Sequence, residues 1–340
     1  MHMADALLSP AVGAAMCAVS AGAIAYSSVR IKKEELGEKK IPVMAVSGAF
    51  IFAAQMINFT IPVTGSSGHI GGGMLLAAML GGSPALLTMA AVLIIQCLFF
   101  ADGGLLALGC NIFNMGVIPC LIMYPLVFKP MLRRGISYGR ITAASIISVV
   151  VGLQLGAFCV VLETLASGIT ELPFGTFVAL MLPIHLAIGA VEGVVTAAVL
   201  CFVYRARPEL IESAISGGSV GKGVSMKKLV IAVACAAILV GGGLAIFASP
   251  NPDGLEWSIQ GVTGSTEVES KYDYSGVQGV QDKTAVMPDY TVGSSEGAAS
   301  TSAAGIIGVV MTFVFAGLVG LVITLVKKKN HHNHPQNPST

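Results

Sequence analysis

The chain has 340 residues, 54% of them hydrophobic and only 11% charged, with a formal net charge of +1 at pH 7. Soluble domains carry about 25% charged residues, so a soluble enzyme of the ordinary kind is excluded, and the near-neutral charge offers nothing to a nucleic acid. The seven cysteines all lie in apolar stretches with no Cys-x-x-Cys pair, which indicates neither a disulfide framework nor a zinc site.

No basic residue precedes the first apolar run, so residues 8–29 read as a retained membrane helix rather than a cleaved signal. A spanning helix needs about 20 mainly apolar residues. Residues 42–62 supply a second. Between 70 and 128 the run is broken at Gly81-Gly82-Ser83-Pro84 and Asp102-Gly103-Gly104, giving segments 70–82, 84–101 and 105–128. Segments 141–166, 174–204, 229–248 and 305–326 follow, for nine crossings in all. With the N-terminus outside, these place seventeen of the nineteen Lys and Arg on the cytoplasmic side and leave only Lys271 and Lys283 external, as the positive-inside rule demands. Segment 70–82 is too short to span alone, so it reads as a helix that begins below the surface.

The expected fold is therefore an all-α polytopic membrane protein. A seven-helix membrane domain takes residues 1–204, and 205–227 form a cytoplasmic linker. Residues 228–330 make a two-helix hairpin, and 331–340 a His-rich cytoplasmic tail. Between the hairpin's helices, 249–304 is an external loop, rich in Gly and Ser, with eight acidic residues. It opens on a turn-rich cluster, Ser249 to Trp257, and its remainder reads as partly disordered. Ser216-Gly217-Gly218-Ser219-Val220-Gly221-Lys222-Gly223 resembles a phosphate loop but lacks its first Gly and its Mg²⁺-binding Ser or Thr. Any ATPase must then be another polypeptide.

The chemistry concentrates at the start of the chain. Met1 offers an α-amine and His2 an amide and an imidazole, which close adjacent five- and six-membered chelate rings. His69, in the loop Thr64 to Gly73, falls on the same external side and can supply a fourth nitrogen. A tetragonal nitrogen set suits Ni(II) or Cu(II). Asn58, Ser66, Ser67, Asn111 and Asn114 are polar groups in or beside apolar segments, where amides must find partners. They read as helix-packing groups or as supports behind the metal-binding loop. His185 and Glu192, seven apart on one helix face, fit a structural or coupling role better than ligation. His331, His332 and His334 read as an incidental solvated tail.

These residues resemble a known family. Met1-His2-Met3-Ala4-Asp5, Gln55 to Phe59 leading to Gly65-Ser66-Ser67-Gly68-His69, Phe100 to Leu105 with Gly109 to Met115, and His185 to Glu192 are similar to the substrate-binding membrane subunit of nickel/cobalt energy-coupling factor transporters, the CbiM/NikM family. Pro252-Asp253-Gly254-Leu255-Glu256 between two helices resembles their PDGLE accessory subunit, here fused to the C-terminus. The resemblance implies a seven-helix core and a square-planar site built from the Met1 amine, the His2 amide and imidazole, and His69. It implies a non-catalytic subunit of an ATP-driven importer in a bacterial or archaeal cell membrane, in contact with lipid. Its partners would be a transmembrane coupling subunit and cytoplasmic ABC ATPases. The cargo would be Ni(II) or Co(II), with no permanently bound cofactor. Ser67-Gly68-His69-Ile70-Gly71 leans to nickel, and Thr60 to Gly65 a little to cobalt. The alternatives are a cobalt importer serving cobalamin synthesis and a stand-alone secondary transporter. The latter usually shows two matching halves, which this sequence lacks. An intramembrane hydrolase would need a nucleophile–base pair or a zinc motif, also absent.

Overall fold

The computed structural model describes residues 2–33, 40–218, 225–293 and 297–333. Met1, residues 34–39, most of the phosphate-loop-like stretch, residues 294–296 and the end of the histidine tail lie outside them. Seven helices among the described residues are long and apolar enough to cross a membrane, over Pro10–Ile31, Gly82–Phe100, Leu108–Arg133, Tyr138–Ala166, Phe174–Ala206, Lys227–Phe247 and Ala298–Val326. Two shorter apolar helices, Lys40–Gln55 and Gly73–Leu80, complete the bundle. In chain order the core is α1 (Pro10–Lys33), α2 (Lys40–Gln55), a hairpin of β1 (Phe59–Ile61) and β2 (Ser66–Gly68), α3 (Gly73–Leu80), α4 (Gly82–Phe100), α5 (Leu108–Arg133), α6 (Tyr138–Ala166) and α7 (Phe174–Ala206). A short α8 (Pro208–Ser216) follows. Then come α9 (Lys227–Phe247), α10 (Gly254–Thr263), α11 (Ser275–Thr284) and α12 (Ala298–Asn333).

The sequence marks a helix over 42–62, but α2 stops at Gln55 and the chain turns into the antiparallel β1–β2 hairpin, with Phe59 opposite Gly68 and Ile61 opposite Ser66. Pro62 cannot continue a helix, and the hairpin gains partners from far along the chain. Ser67 N–H donates to the carbonyl of Pro252 at 2.8 Å, its hydroxyl to Asn251 at 2.8 Å, and Trp257 Nε1 to Thr64 at 2.9 Å. Helix α3 begins only after this descent. Gly72 sits at its N-cap with φ of 78°, a left-handed conformation that a side chain would strain. The Glu192 carboxylate accepts the Gly72 N–H at 2.8 Å, supplying the negative charge a helix N-terminus favours.

Helix α5 winds wide, with π-type bonding from Phe113 to Phe128 and Pro119 and Pro125 inside. Each proline lacks an N–H donor, and π turns commonly accommodate such breaks. Helices α9 and α12 lie against α2, and α12 also against α4. Helices α9 and α12 meet each other at Gly305, where a side chain would collide with the Gly241 carbonyl. Such small-residue crossings are how helices pack in lipid.

The polar stretch 249–304, expected to be partly disordered, folds over the core among its described residues. Asp253 caps α10 in a capping box with Glu256. Gln281 Nε2 donates to the carbonyls of Cys97 and Gly103, and Met287 N–H to Phe99 at 3.0 Å. Its order comes from the distant groups it bonds, which local composition does not reveal.

Candidate metal site

Residue 3 is already core. Met3 is fully buried, and Asn111 clamps its backbone from both sides, Oδ1 accepting the Met3 N–H at 2.8 Å and Nδ2 donating to the Met3 carbonyl at 3.2 Å. Gly104 N–H donates to the same carbonyl at 2.9 Å. Asp5 Oδ1 accepts the Ala107 N–H at 2.9 Å. The N-terminal segment is thus threaded into the bundle mouth between α4 and α5, which carries His2 to the hairpin loop. The rings of His2 and His69 stack with centroids 5.2 Å apart and planes inclined by 23°.

A chain of amides sets the state of His2. Gln55 Nε2 donates to the Gly71 carbonyl at 2.8 Å, and Gln96 Nε2 donates to Gln55 Oε1 at 2.8 Å. Gln96 Oε1 is then left to accept from His2 Nε2 at 3.3 Å. In the neutral ring this puts the proton on Nε2 and leaves Nδ1 with its lone pair. Burial favours the neutral form, because it holds the pKa of His2 below the ordinary histidine value, and it holds His69 well below it, with the neighbouring His2 adding to the effect. Asp102 Oδ1 lies 3.2 Å from His2 Nδ1, so two electron-rich atoms face each other across a gap that a cation or a proton would bridge. Tyr290 donates its hydroxyl to the other oxygen of Asp102.

A chamber of about 690 Å³ opens over these rings, lined among others by His2, His69, Asp102, Asp253, Glu256 and Tyr290. Asp253 ionises readily there. Burial opposes its charge, but neighbours that include the Glu256 amide hold the carboxyl below the usual range. Beside it, burial and the Asp253 charge raise Glu256. Among the described residues no group of three or more His, Cys, Asp or Glu side chains is arranged to hold a metal.

Of the residues singled out in the sequence, the structure brings together His2, His69 and Asn111. Met1 lies outside the described residues. Asn114 donates to Glu163 at 2.9 Å and approaches the Met3 sulfur. Ser66 and Ser67 face the accessory loop, and the Asn58 carbonyl accepts from Ser249 N–H at 2.7 Å. Sequence reasoning missed Gln55, Gln96, Asp102 and Asp253 as parts of the site. Gln55 and Gln96 had a signal, since an amide inside an apolar segment needs a partner.

Residues 2–210 match the family described as the cobalt uptake substrate-specific transmembrane region, and residues 227–325 match the PDGLE domain. The chain belongs to the CbiM family. It is similar to a fused nickel transport protein, NikMN, of Archaeoglobus fulgidus, at 32% identity over 92% of this chain and 95% of the relative. A cobalt transport protein CbiM of Methanocaldococcus jannaschii is 33% identical over 62% of this chain and 90% of its own. A crystal structure of a truncated transition metal transporter superposes with a TM-score of 0.53 at 29% identity, covering 61% of this chain and 99% of that one. The CbiM unit carries His2 and His69, and the PDGLE unit carries Asp253 and Tyr290, so both face the same chamber.

Proposed function

We propose that this CbiM–PDGLE chain captures Ni(II) on the outer side of the membrane and hands it inward as the metal-binding subunit of an energy-coupling factor importer. Its partners in that reading are a transmembrane coupling subunit and cytoplasmic ABC ATPases. The four ligands are the Met1 amine, the His2 amide, His2 Nδ1 and an imidazole nitrogen of His69. The observation that carries the reading is the Gly71–Gln55–Gln96–His2 relay. It presents Nδ1, the one imidazole nitrogen that can close a six-membered chelate with the His2 amide, and it does so beside the His69 ring. Orienting a ligand imidazole through its second nitrogen is the usual way proteins tune such sites.

Nickel is preferred because d⁸ Ni(II) gains most from a planar four-nitrogen field and because the fused relative in Archaeoglobus carries the name of a nickel transport protein. The same ligands would serve Co(II) in a cobalt importer, which the family's description favours.

Isothermal titration of the purified full chain with Ni(II) at constant pH tests the site. His2→Ala, His69→Ala and an N-terminal extension should each weaken binding at least tenfold, about 1.4 kcal/mol. A long N-terminal fusion that binds nickel as tightly as the native chain would show that the Met1 amine is no ligand. Repeating the titration with Co(II) decides between the two metals.

A further inference from the structure

Beneath the outer site the core holds a second set of polar atoms for which metal capture at the loop has no use. His185 is 1% exposed. Its Nδ1 lies 2.8 Å from the Met181 carbonyl, and since a carbonyl can only accept, Nδ1 carries the proton. Nε2 is therefore a bare lone pair, and it has no hydrogen-bond partner. A backbone carbonyl fixing one nitrogen while the other stays open is the arrangement typical of a ligand imidazole. This nitrogen faces Gly254, where an added Cβ would come within 3.3 Å of it. It lines a void of about 20 Å³ together with Gly68, His69, Gly71, Met115 and Asp253.

One level deeper a second void, of about 30 Å³, is lined by Gly71, Asn114, Met115, Ser148 and Glu192. Glu192 Oε1 caps α3 through Gly72, but Oε2 has no partner, and neither do Asn114 Oδ1 or Ser148 Oγ. Glu192 Oε2 faces Gly71, which borders both voids. Seven residues along a helix is about 10 Å, so His185 and Glu192 mark two successive levels down α7. Each void is large enough for about one water-sized occupant. Buried polar atoms without partners in a membrane interior are costly and point to function.

We propose that His185 and Glu192 form an inner cation station, through which the divalent metal passes after leaving the His2–His69 site. This rests on the reading of that outer site as the capture point. The first position offers the imidazole Nε2, the second the Glu192 carboxylate with Asn114 and Ser148 oxygens. Imidazole suits a late first-row divalent ion, and a carboxylate oxygen accepts it in turn. Neither position gathers three His, Cys, Asp or Glu side chains. That is a composition for passage rather than storage, since an ion in transit must bind weakly enough to leave.

The test is stoichiometry. The full chain, with His331, His332 and His334 changed to Ala to remove tail binding, is titrated in detergent with Ni(II) by calorimetry and with Co(II) by visible absorption. One tight and one at least tenfold weaker equivalent are expected, the weaker giving Co(II) bands of a site that is not planar. Two divalent ions about 10 Å apart in the core repel strongly, so the two positions share one equivalent, and His185→Ala should weaken it at least fivefold. Glu192→Gln, whose amide oxygen can still cap Gly72, should weaken it at least fivefold. Both should leave the tight equivalent within threefold of its native affinity. A single equivalent in the parent chain, or a weak one indifferent to both variants, would overturn the inner station and leave the outer site untouched. Retention of the tight equivalent in His2→Ala and His69→Ala would instead overturn the outer site. The weaker equivalent's dependence on His185 and Glu192 would then still decide the inner one.

Discussion

The proposed site depends on where protons sit at individual residues, and that makes it testable. At pH 7 the α-amine, with an ordinary pKa near 7.7–8.0, is mostly protonated and the amide fully so, whereas burial keeps His2 and His69 neutral. Nickel entering amine, amide and two imidazoles should then release about two protons, all from the first two donors. Because metal and proton compete, binding should strengthen as pH rises, by close to a hundredfold per unit below about pH 7. Calorimetry in two buffers of different ionisation enthalpy counts the protons, and a count near zero would mean that only the imidazoles bind. Gln96→Leu, which removes the oxygen facing His2 Nε2 and leaves Gln55 Oε1 without its donor, should lower nickel affinity about 10–100-fold with the protein still folded. The proposed ligand set comes from the sequence alone, because a histidine directly behind an α-amine would have a fixed chelate geometry. The relay does not. Gln55 and Gln96 stand 41 residues apart in separate helices, and only their packing shows that they touch each other and His2.

At the scale of elements, the hairpin that leads to His69 is held by hydrogen bonds running to another part of the chain. Periodicity located the apolar helices, since lipid permits few alternatives to a helix, and it marked a short helix over 70–82, within which α3 runs at Gly73–Leu80. It could not show that residues 56–68 leave the helix, because the carbonyls of Asn251 and Pro252 that pair with Ser67 lie more than 180 residues away. The polar loop was misread for the same reason. Tyr274 donates to the Leu8 carbonyl and Gln281 to Gly103, so its folding energy is stored in contacts that its own composition does not contain. Trp257→Phe keeps the ring in the cluster with Ile61, Ile184 and Ile188 but deletes the bond from Nε1 to Thr64. Losing one such bond costs about 0.5–1.5 kcal/mol. Amide exchange across 64–69 should therefore speed up about 2–12-fold, the same energy expressed as a ratio, with global stability nearly unchanged. Unaltered exchange there would show that the indole does not secure the loop.

For the whole molecule, charge asymmetry is the argument for orientation. Seventeen of the nineteen Lys and Arg fall on one side if the N-terminus is outside. Cysteine substituted for Ser265, in the PDGLE unit, should react with an impermeant thiol reagent applied to intact cells, and cysteine at Ser339 should react only after lysis. The reverse pattern would invert the protein and put the chamber on the cytoplasmic side.

The joint between Ser67 and the Asn251–Pro252 carbonyls has a further consequence, because both of its halves belong to one polypeptide. Tethered partners meet at an effective concentration on the order of millimolar, whatever the number of copies in the membrane. Occupancy of the joint is then set by its own equilibrium constant and not by gene dosage. Where core and cover are separate proteins, uneven synthesis leaves some cores uncovered and some covers idle. Here each round of translation delivers one of each, so a cell that makes more chains gains complete sites in strict proportion, and dilution as the membrane grows cannot separate them.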